Sequence, residues 1–443
     1  MTRYGRSTAP LAAAISLCAA FGAQAAAAPG GLEAPVAYTV QPNDTLIGLG
    51  ARYLSKPSDY LAVQKLNGIA NPRHLRVGFG LSIPYDLLRS EPVGAALVAY
   101  RGSVTVTAAG GAAVPVMRDM KLGEGFALVT GPDAFLTIEF EDGSRTTLPS
   151  RSRLTIRRLR KVTMTGAVDR ILALEAGRSE SSVQHLTDPK DRFVVTTPLA
   201  VAAVRGTQFR VAYDTDAAHS LLEVIEGKVG NTPGDDQAET LTPAGFGLVT
   251  SRGEASHLIA LLPAPKLQTP GKVQEEAAVA FAVAAVPQAK AYRAQLASDG
   301  GFVDLIAEDV SQTTALPFGQ LPDGDYFVRV SALDENGLEG PSSTYAFERQ
   351  LNTFETQKPA AENGRRYRFR WSTAGAGMKS FRFQLSSTPE GAPLIDEPGL
   401  TTNDIVVTDL PPGTYFWRVL TTRTQNGKQT QRWSAPERFE LAN

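Results

Sequence analysis

Two stretches of the last third of the chain are copies of one another, and that duplication constrains the fold more than any other feature. Leu321-Pro322-Asp323-Gly324-Asp325-Tyr326-Phe327-Val328-Arg329-Val330 returns as Leu410-Pro411-Pro412-Gly413-Thr414-Tyr415-Phe416-Trp417-Arg418-Val419. Upstream, Tyr292-Arg293-Ala294-Gln295-Leu296 corresponds to Phe381-Arg382-Phe383-Gln384-Leu385, Phe281 falls where Trp371 sits, and Phe347-Glu348 answers Phe439-Glu440. A period near ninety residues means two structural units, each with its own core. Apolar and polar residues alternate on both sides of a Pro/Gly turn, so the units are built of strands. Tyr326 and Tyr415 follow that turn and are expected to pack over the edge of each unit, with Trp371 as a core aromatic. Pro263–Pro270 reads as a semi-rigid linker into the first unit and Gln350–Ala360 as the linker into the second.

The spacing and aromatic positions of the repeat resemble fibronectin type III or related immunoglobulin-like sandwiches. That resemblance implies one sandwich over residues 268–349 and another over 358–443.

At the other end, residues 38–84 read as strand, turn, two helices and strand. Gln41–Asp44 is the turn, Asp44 or Thr45 can cap a helix carrying Leu46, Leu49 and Tyr53, and Tyr60–Asn67 carries Leu61, Val63 and Leu66. Arg76-Val77-Gly78 turns into a closing strand, Leu81–Ile83, stopped by Pro84. Tyr38, Val40, Pro42, Asp44, Thr45, Leu46, Leu66, Asn67, Gly78, Leu81, Ile83 and Pro84 together resemble the lysin motif, LysM, over residues 36–88. The resemblance implies binding of an N-acetylglucosamine-containing glycan such as peptidoglycan. By the same resemblance the sugar lies between two loops, with Pro42, Asn43, Asp44, Thr45, Leu46 and Ile47 on one side and Asn71, Leu75 and Gly78 on the other. Backbone groups would bond the N-acetyl group, and Leu46, Ile47 and Leu75 would supply apolar contact. Asn43 stands where the family usually has glycine, and Asn tolerates left-handed backbone angles. Ile47 stands in place of a frequent aromatic, which buries more sugar surface.

Before that domain, Arg3 and Arg6 precede an apolar run, Leu11–Phe21, and Ala23-Gln24-Ala25 offers small residues for signal-peptidase cleavage. Residues 1–25 are therefore expected to be a signal peptide. The run is shorter than the ~20 residues a spanning helix needs, so no stable membrane insertion is expected after cleavage. The sole cysteine, Cys18, lies inside the run behind a bulky Leu17, which leaves the mature chain without disulfide, thiolate metal site or cysteine nucleophile. A periplasmic or cell-envelope location follows as an expectation.

Residues 97–260 read as short strands throughout. Arg101–Thr107, Phe135–Phe140, Ile171–Leu174, Phe193–Thr197, Thr207–Tyr213, Leu221–Ile225 and Gly245–Val249 all alternate or run apolar. Asp142-Gly143 signals a type I′ hairpin. Such spacing implies a β-sandwich, barrel or short β-roll. Gly123, Thr130-Gly131, Asp142-Gly143-Ser144, a turn at Leu174–Arg178, Glu226–Val229 and Pro243–Gly245 resemble a FecR-like domain. Its most specific signature corresponds to Thr197-Pro198 followed by Val204-Arg205-Gly206-Thr207 and Phe209. Known members pass signals from an outer-membrane transporter to a sigma factor, using a cytoplasmic region and a membrane helix ahead of this domain. Here a LysM stands there instead, so the resemblance implies only an unidentified envelope protein as partner. Arg205 is open to two readings: a contact for a carboxylate or phosphate, or a residue that, with Thr207, satisfies nearby carbonyls and turn amides around a Gly206 of special backbone.

Composition and motif search narrow the function classes. With 44 Lys and Arg against 45 Asp and Glu, the chain lacks the basic excess of a nucleic-acid binder. The basic run Arg151–Lys161 reads as an ordinary strand pair, the alternative being a patch for anionic polymers. His74, His185, His219 and His257 show no metal-ligand spacing. No Gly-x-Ser-x-Gly elbow or phosphate loop occurs. Glu139 and Glu141 share a predicted strand face but read as solubilising charge. No catalytic residue, metal or cofactor is expected. The expected fold is mainly β and multidomain: a small βααβ unit, an all-β middle domain and two tandem sandwiches. The expected function is a non-enzymatic envelope protein that binds peptidoglycan and presents its other domains to proteins. The alternative is an extracytoplasmic sensor of the FecR type that signals through an envelope partner.

Overall fold

A computed structural model describes residues 35–441 apart from 187, 189, 235–237, 255, 269–272, 363–364 and 426. The expected signal peptide, with Cys18 and the cleavage site, lies outside the described residues.

The first domain pairs Val36–Thr39 antiparallel with Gly80–Ile83, Tyr38 opposite Leu81. Between them lie helices Leu46–Tyr53 and Tyr60–Leu66. Of the two candidate caps it is Thr45 that acts: its Oγ1 accepts from the Gly48 amide at 3.0 Å, a bond typically worth about 1 kcal/mol. Val40, Leu46, Leu49, Val63, Leu81 and Ile83 form the core, and the cluster continues through Leu88 to Val162 and Met164 of the next domain. Thr163 N donates to Arg89 O at 3.0 Å. The Tyr85 ring lies beneath the guanidinium groups of Arg158 and Arg192, at 5.4 and 5.5 Å. Burial, and then Asp169, push the Tyr85 hydroxyl well above its ordinary pKa. The domain is therefore seated on its neighbour by apolar contact and a cation–aromatic stack.

The middle domain closes its strands into a flattened barrel of two sheets that share one long strand, Val168–Ser182. Residues 168–176 of that strand pair with Arg153–Val162 and, in parallel, with Arg192–Thr196. Residues 177–182 cross into the other sheet and pair with Gln208–Asp214. The bend is at Gly177, whose φ is +79° and where a Cβ would lie 2.5 Å from Arg151 O. The turn expected at Leu174–Arg178 is thus a bend inside a continuous strand, because one glycine absorbs the whole change of direction. The hairpin at Asp142-Gly143 also differs from expectation. Among its central residues Gly143 alone has positive φ, and Gly143 N donates to Phe140 O at 2.9 Å. That is a three-residue loop with glycine in the left-handed position, not a type I′ turn. Gly102, at φ +74°, divides the expected Arg101–Thr107 strand into Ala95–Arg101 and Val104–Thr107.

Leu154, Ile156, Leu159 and Val162 are all buried on the Arg153–Val162 strand. A bulge between Ile156 and Arg158 explains why their spacing lengthens. Two charges of this basic run are paired, Arg158 with Asp169 at 3.1 Å and Arg160 with Glu124, while Arg151, Arg153, Arg157 and Lys161 are exposed.

The first sandwich packs a sheet of Val273–Gln274, Ser343–Arg349, Gly324–Leu333, Ala291–Ala297 and Leu305–Ser311 against the pair Val279–Ala282 and Ala315–Gly319. The second packs Phe354–Ala361, Arg366–Thr373 and Asp404–Thr408 against a sheet containing Pro393–Leu400, Met378–Ser386, Gly413–Gln425 and Lys428–Trp433. Tyr326 donates to Pro322 O at 3.1 Å and Tyr415 to Pro411 O at 2.8 Å, which ties each tyrosine to its own turn. Trp371 is buried in the second core.

The second linker is largely not a linker. Phe354–Ala361 is the first strand of the second sandwich, held against the Trp371 strand, and its alternation was the available signal. Nor is the described part of Pro263–Pro270 a free spacer, since Leu267 is buried in the first sandwich core. Among the described residues no helix is long and apolar enough to cross a membrane.

Candidate functional site

Two loops of the first domain, residues 41–47 and 71–79, meet at one end of its two-stranded sheet. Asn43 has φ +69°, so it does take the left-handed conformation that its position demands. Leu46 N donates to Pro72 O at 2.8 Å and Gly78 N to Val40 O at 2.9 Å, which fixes one loop on the other. Asn71 Oδ1 accepts from Arg73 N at 3.0 Å and shapes the second loop from within.

The expected contact residues divide by burial. Asp44 and Leu46 are turned into the domain and cannot offer side chains to a sugar. The Asp44 carboxylate accepts from Tyr38 Oη at 2.6 Å, Gln41 N at 2.9 Å and Arg52 Nη2 at 2.6 Å. Burial opposes its charge, but these donors outweigh burial and hold its pKa below the usual range. Burial and the Asp44 bond in turn push Tyr38 up to about 12. Asp44 is therefore the brace of the turn. Thr45 is occupied as the helix cap, and Leu75 is half-buried on the core. Pro42, Asn43, Ile47, Asn71 and Gly78 are exposed. Sequence reasoning missed Val77 and Phe79, both exposed apolar side chains at the end of the second loop. Phe79 follows Gly78 directly, and the missing aromatic at Ile47 was the signal to look for one nearby.

The signature of the middle domain is mostly architectural. Thr197 Oγ1 accepts from Ala200 N at 3.0 Å and lies 2.6 Å from Ser220 Oγ, closing the turn around Pro198. Val204 and Phe209 are buried, with Phe209 edge-on to Phe193. Gly206 has φ +89°, and a Cβ there would lie 2.7 Å from His185 Cα. The expectation that Arg205 and Thr207 satisfy neighbouring groups fails. Among the described residues Arg205 is exposed and makes no hydrogen bond or ion pair, and the Thr207 hydroxyl is buried without a partner. Thr207 instead packs its methyl where Gly227 leaves room. Glu139 is paired with Arg145 at 2.6 Å, and Glu141 accepts from Gly94 N, so these carboxylates do not face one another across a site.

Between the middle domain and the first sandwich lies a layer of buried charge that sequence reasoning did not find. Arg178, Glu180, Arg210 and Glu223 project from neighbouring strands of one domain, and Arg293, Glu308, Arg329 and Glu339 meet them from the other. Glu339 accepts from Arg178 at 3.1 Å, Arg293 at 2.8 Å and Ser331 at 2.7 Å. Arg329 donates to Glu180 at 2.6 Å. Burial opposes the charge of Glu339, but Arg210, Arg293 and Arg178 hold its pKa well below the ordinary range. Glu223 goes the other way, since burial raises it more than Arg178 lowers it. Phe135 packs beside this layer against Ala297, Phe302, Leu305 and Phe327. The signal was present in Arg293 and Gln295, polar residues at alternate positions of a strand whose intervening residues are apolar.

Residues 38–84 match the LysM domain family and residues 127–230 match the FecR protein family. The chain carries a LysM domain and a FecR domain. Both kinds of domain are typical of cell-envelope proteins. No curated protein matches the chain. Among solved structures, a candidate anti-sigma factor of Parabacteroides distasonis is 16% identical over 30% of this chain and 59% of its own, with a TM-score of 0.26. The chain thus spans about three fifths of that structure's length. Fibronectin(III)-like modules of Clostridium thermocellum CbhA are 12% identical over 40% of this chain and 92% of theirs, at a TM-score of 0.20. Chicken CNTN1 FN1-FN3 domains are 11% identical over 61% of this chain and 95% of theirs, at a TM-score of 0.21.

Proposed function

We propose that this is a non-enzymatic cell-envelope protein whose LysM domain binds peptidoglycan and whose FecR domain and sandwiches form a platform for other proteins. The observation that carries the reading is the state of the LysM groove. Its two loops are pinned to each other by backbone hydrogen bonds, Asp44 braces the turn from inside, and Ile47, Val77 and Phe79 are left exposed beside it. A pre-shaped groove with apolar side chains at its rim suits the faces of N-acetylated sugars, and little ordering is required on binding.

The test is co-sedimentation of the mature chain with purified peptidoglycan. The wild type is expected in the pellet in a saturable manner. Ile47→Asp with Phe79→Ala should move it to the supernatant without changing its melting temperature. Wild-type protein that stays in the supernatant across salt and pH would make the LysM domain a spacer.

A further inference from the structure

The second sandwich repeats the Arg–Gln–carboxylate–Arg cluster of the face with which the first is docked, with Asp396 in place of Glu308. In the first, Arg293 Nε donates to Glu308 at 2.8 Å, Gln295 Nε2 to the same carboxylate at 2.7 Å, and Arg329 Nε to Gln295 Oε1 at 2.7 Å. In the second, Arg382 Nε donates to Asp396 at 2.6 Å, Gln384 Nε2 to the same carboxylate at 3.2 Å, and Arg418 Nε to Gln384 Oε1 at 3.1 Å. The registers agree as well: Gln295 faces Arg329 as Gln384 faces Arg418, and Ala297 faces Phe327 as Ser386 faces Phe416.

What differs is the cover. In the first sandwich the Arg293 and Glu308 side chains are 5% and 13% exposed beneath the FecR domain. In the second, Arg382 and Asp396 are 43% and 30% exposed. Arg329 reaches across to Glu180, whereas Arg418, which forms no ion pair among the described residues, turns both Nε and Nη2 onto Gln384 and stacks over Trp433 at 4.4 Å. Leu394, on the adjacent edge strand, is also exposed.

We propose that this open face of the second sandwich is a self-association surface, and that its occupant is the same face of a second copy of the chain. The complementarity argues for it. Docking of the first face requires a carboxylate to meet Arg329 and an aromatic to meet Phe327, which Glu180 and Phe135 supply. Two copies related by a two-fold axis supply both to each other: Asp396 of each faces Arg418 of the other, and Phe416 and Trp433 lie beside them. A two-fold contact of one patch with itself is the commonest oligomeric arrangement. The FecR sheet face that would otherwise complement it is already covered by the first sandwich. Where the LysM reading of the previous section holds, pairing would also add the two grooves' weak affinities through avidity.

Sedimentation equilibrium of the mature chain over a wide concentration range tests this without any glycan. The wild type is expected to dimerise, and Arg418→Glu to weaken the dimer at least tenfold, with an unchanged circular-dichroism melt. Arg418→Lys, which keeps a positive charge to meet the carboxylate of the other copy and leaves the Arg382–Asp396 pair intact, should retain it. A wild type that is monomeric throughout would overturn the proposal and leave the face to a different protein. A dimer indifferent to Arg418→Glu would overturn it equally.

Discussion

The two sandwiches carry one cluster in two environments: Arg293, Gln295, Glu308 and Arg329 under the FecR domain, and Arg382, Gln384, Asp396 and Arg418 in the open. The difference teaches that this arrangement is not itself a requirement of the sandwich core, since it forms with or without cover. It is a surface device, and burial converts it from a solvated ion pair into part of an interface. Buried, each charge depends on the others, because a lone partner would be left desolvated. Open, the same pairs are screened by water and contribute little.

The largest expected effect lies where the contrast is strongest. Glu339→Ala leaves Arg178, Arg210 and Arg293 facing one another without their shared carboxylate, and should cost about 3–5 kcal/mol in chemical denaturation. Wild-type stability in that variant would mean that the layer is solvated and the contrast unreal.

Adjacent residues of the FecR signature show the same division and come next. Gly206→Val combines a left-handed backbone with an overlap on His185 and should cost about 2–4 kcal/mol. Exposed Arg205→Ala should stay within about 0.5 kcal/mol. Similar denaturation midpoints for the two would remove the claim of a special backbone at Gly206.

A direct comparison of the repeats follows. Arg329→Ala should cost about 2 kcal/mol, the scale of a lost hydrogen bond to a charged group in a buried site, and Arg418→Ala much less. Equal costs would break the comparison between the sandwiches.

The smallest effect is a pH dependence within the buried layer. Glu339 and Glu180 have depressed carboxyl pKa values, so their contribution is present above the ordinary carboxylate range and is lost as pH falls through the folded values. Glu223 is raised by burial, so its contribution is full below the ordinary value and declines as pH rises through the raised one. Glu223→Gln should therefore be neutral or mildly stabilising at pH 7, while Glu339→Gln is destabilising there. Thermal melts at pH 4 and 7 check both signs.

How much of this was legible follows from which contacts are local. The LysM elements, the alternating FecR strands and the repeat were readable because apolar spacing reports a strand or helix face directly. The bend at Gly177 was not, because a glycine that redirects a strand and one that ends it look alike in sequence. The bracing role of the Asp44 side chain was not legible, because its partners Tyr38 and Arg52 lie on different elements. The charged layer was missed because Arg178 or Glu223 on an alternating strand reads as a solvent face. Nothing local says that another sheet covers it.

The proposed function rests on the division within the LysM groove, where Asp44 is buried as a brace and Ile47 is exposed. Calorimetric titration of the mature chain with a soluble N-acetylglucosamine-containing peptidoglycan fragment tests it most directly. Saturable binding by the wild type, weakened at least tenfold by Ile47→Asp at unchanged melting temperature, is the expected result. No binding by a folded wild type, or equal binding by Ile47→Asp, would contradict the account.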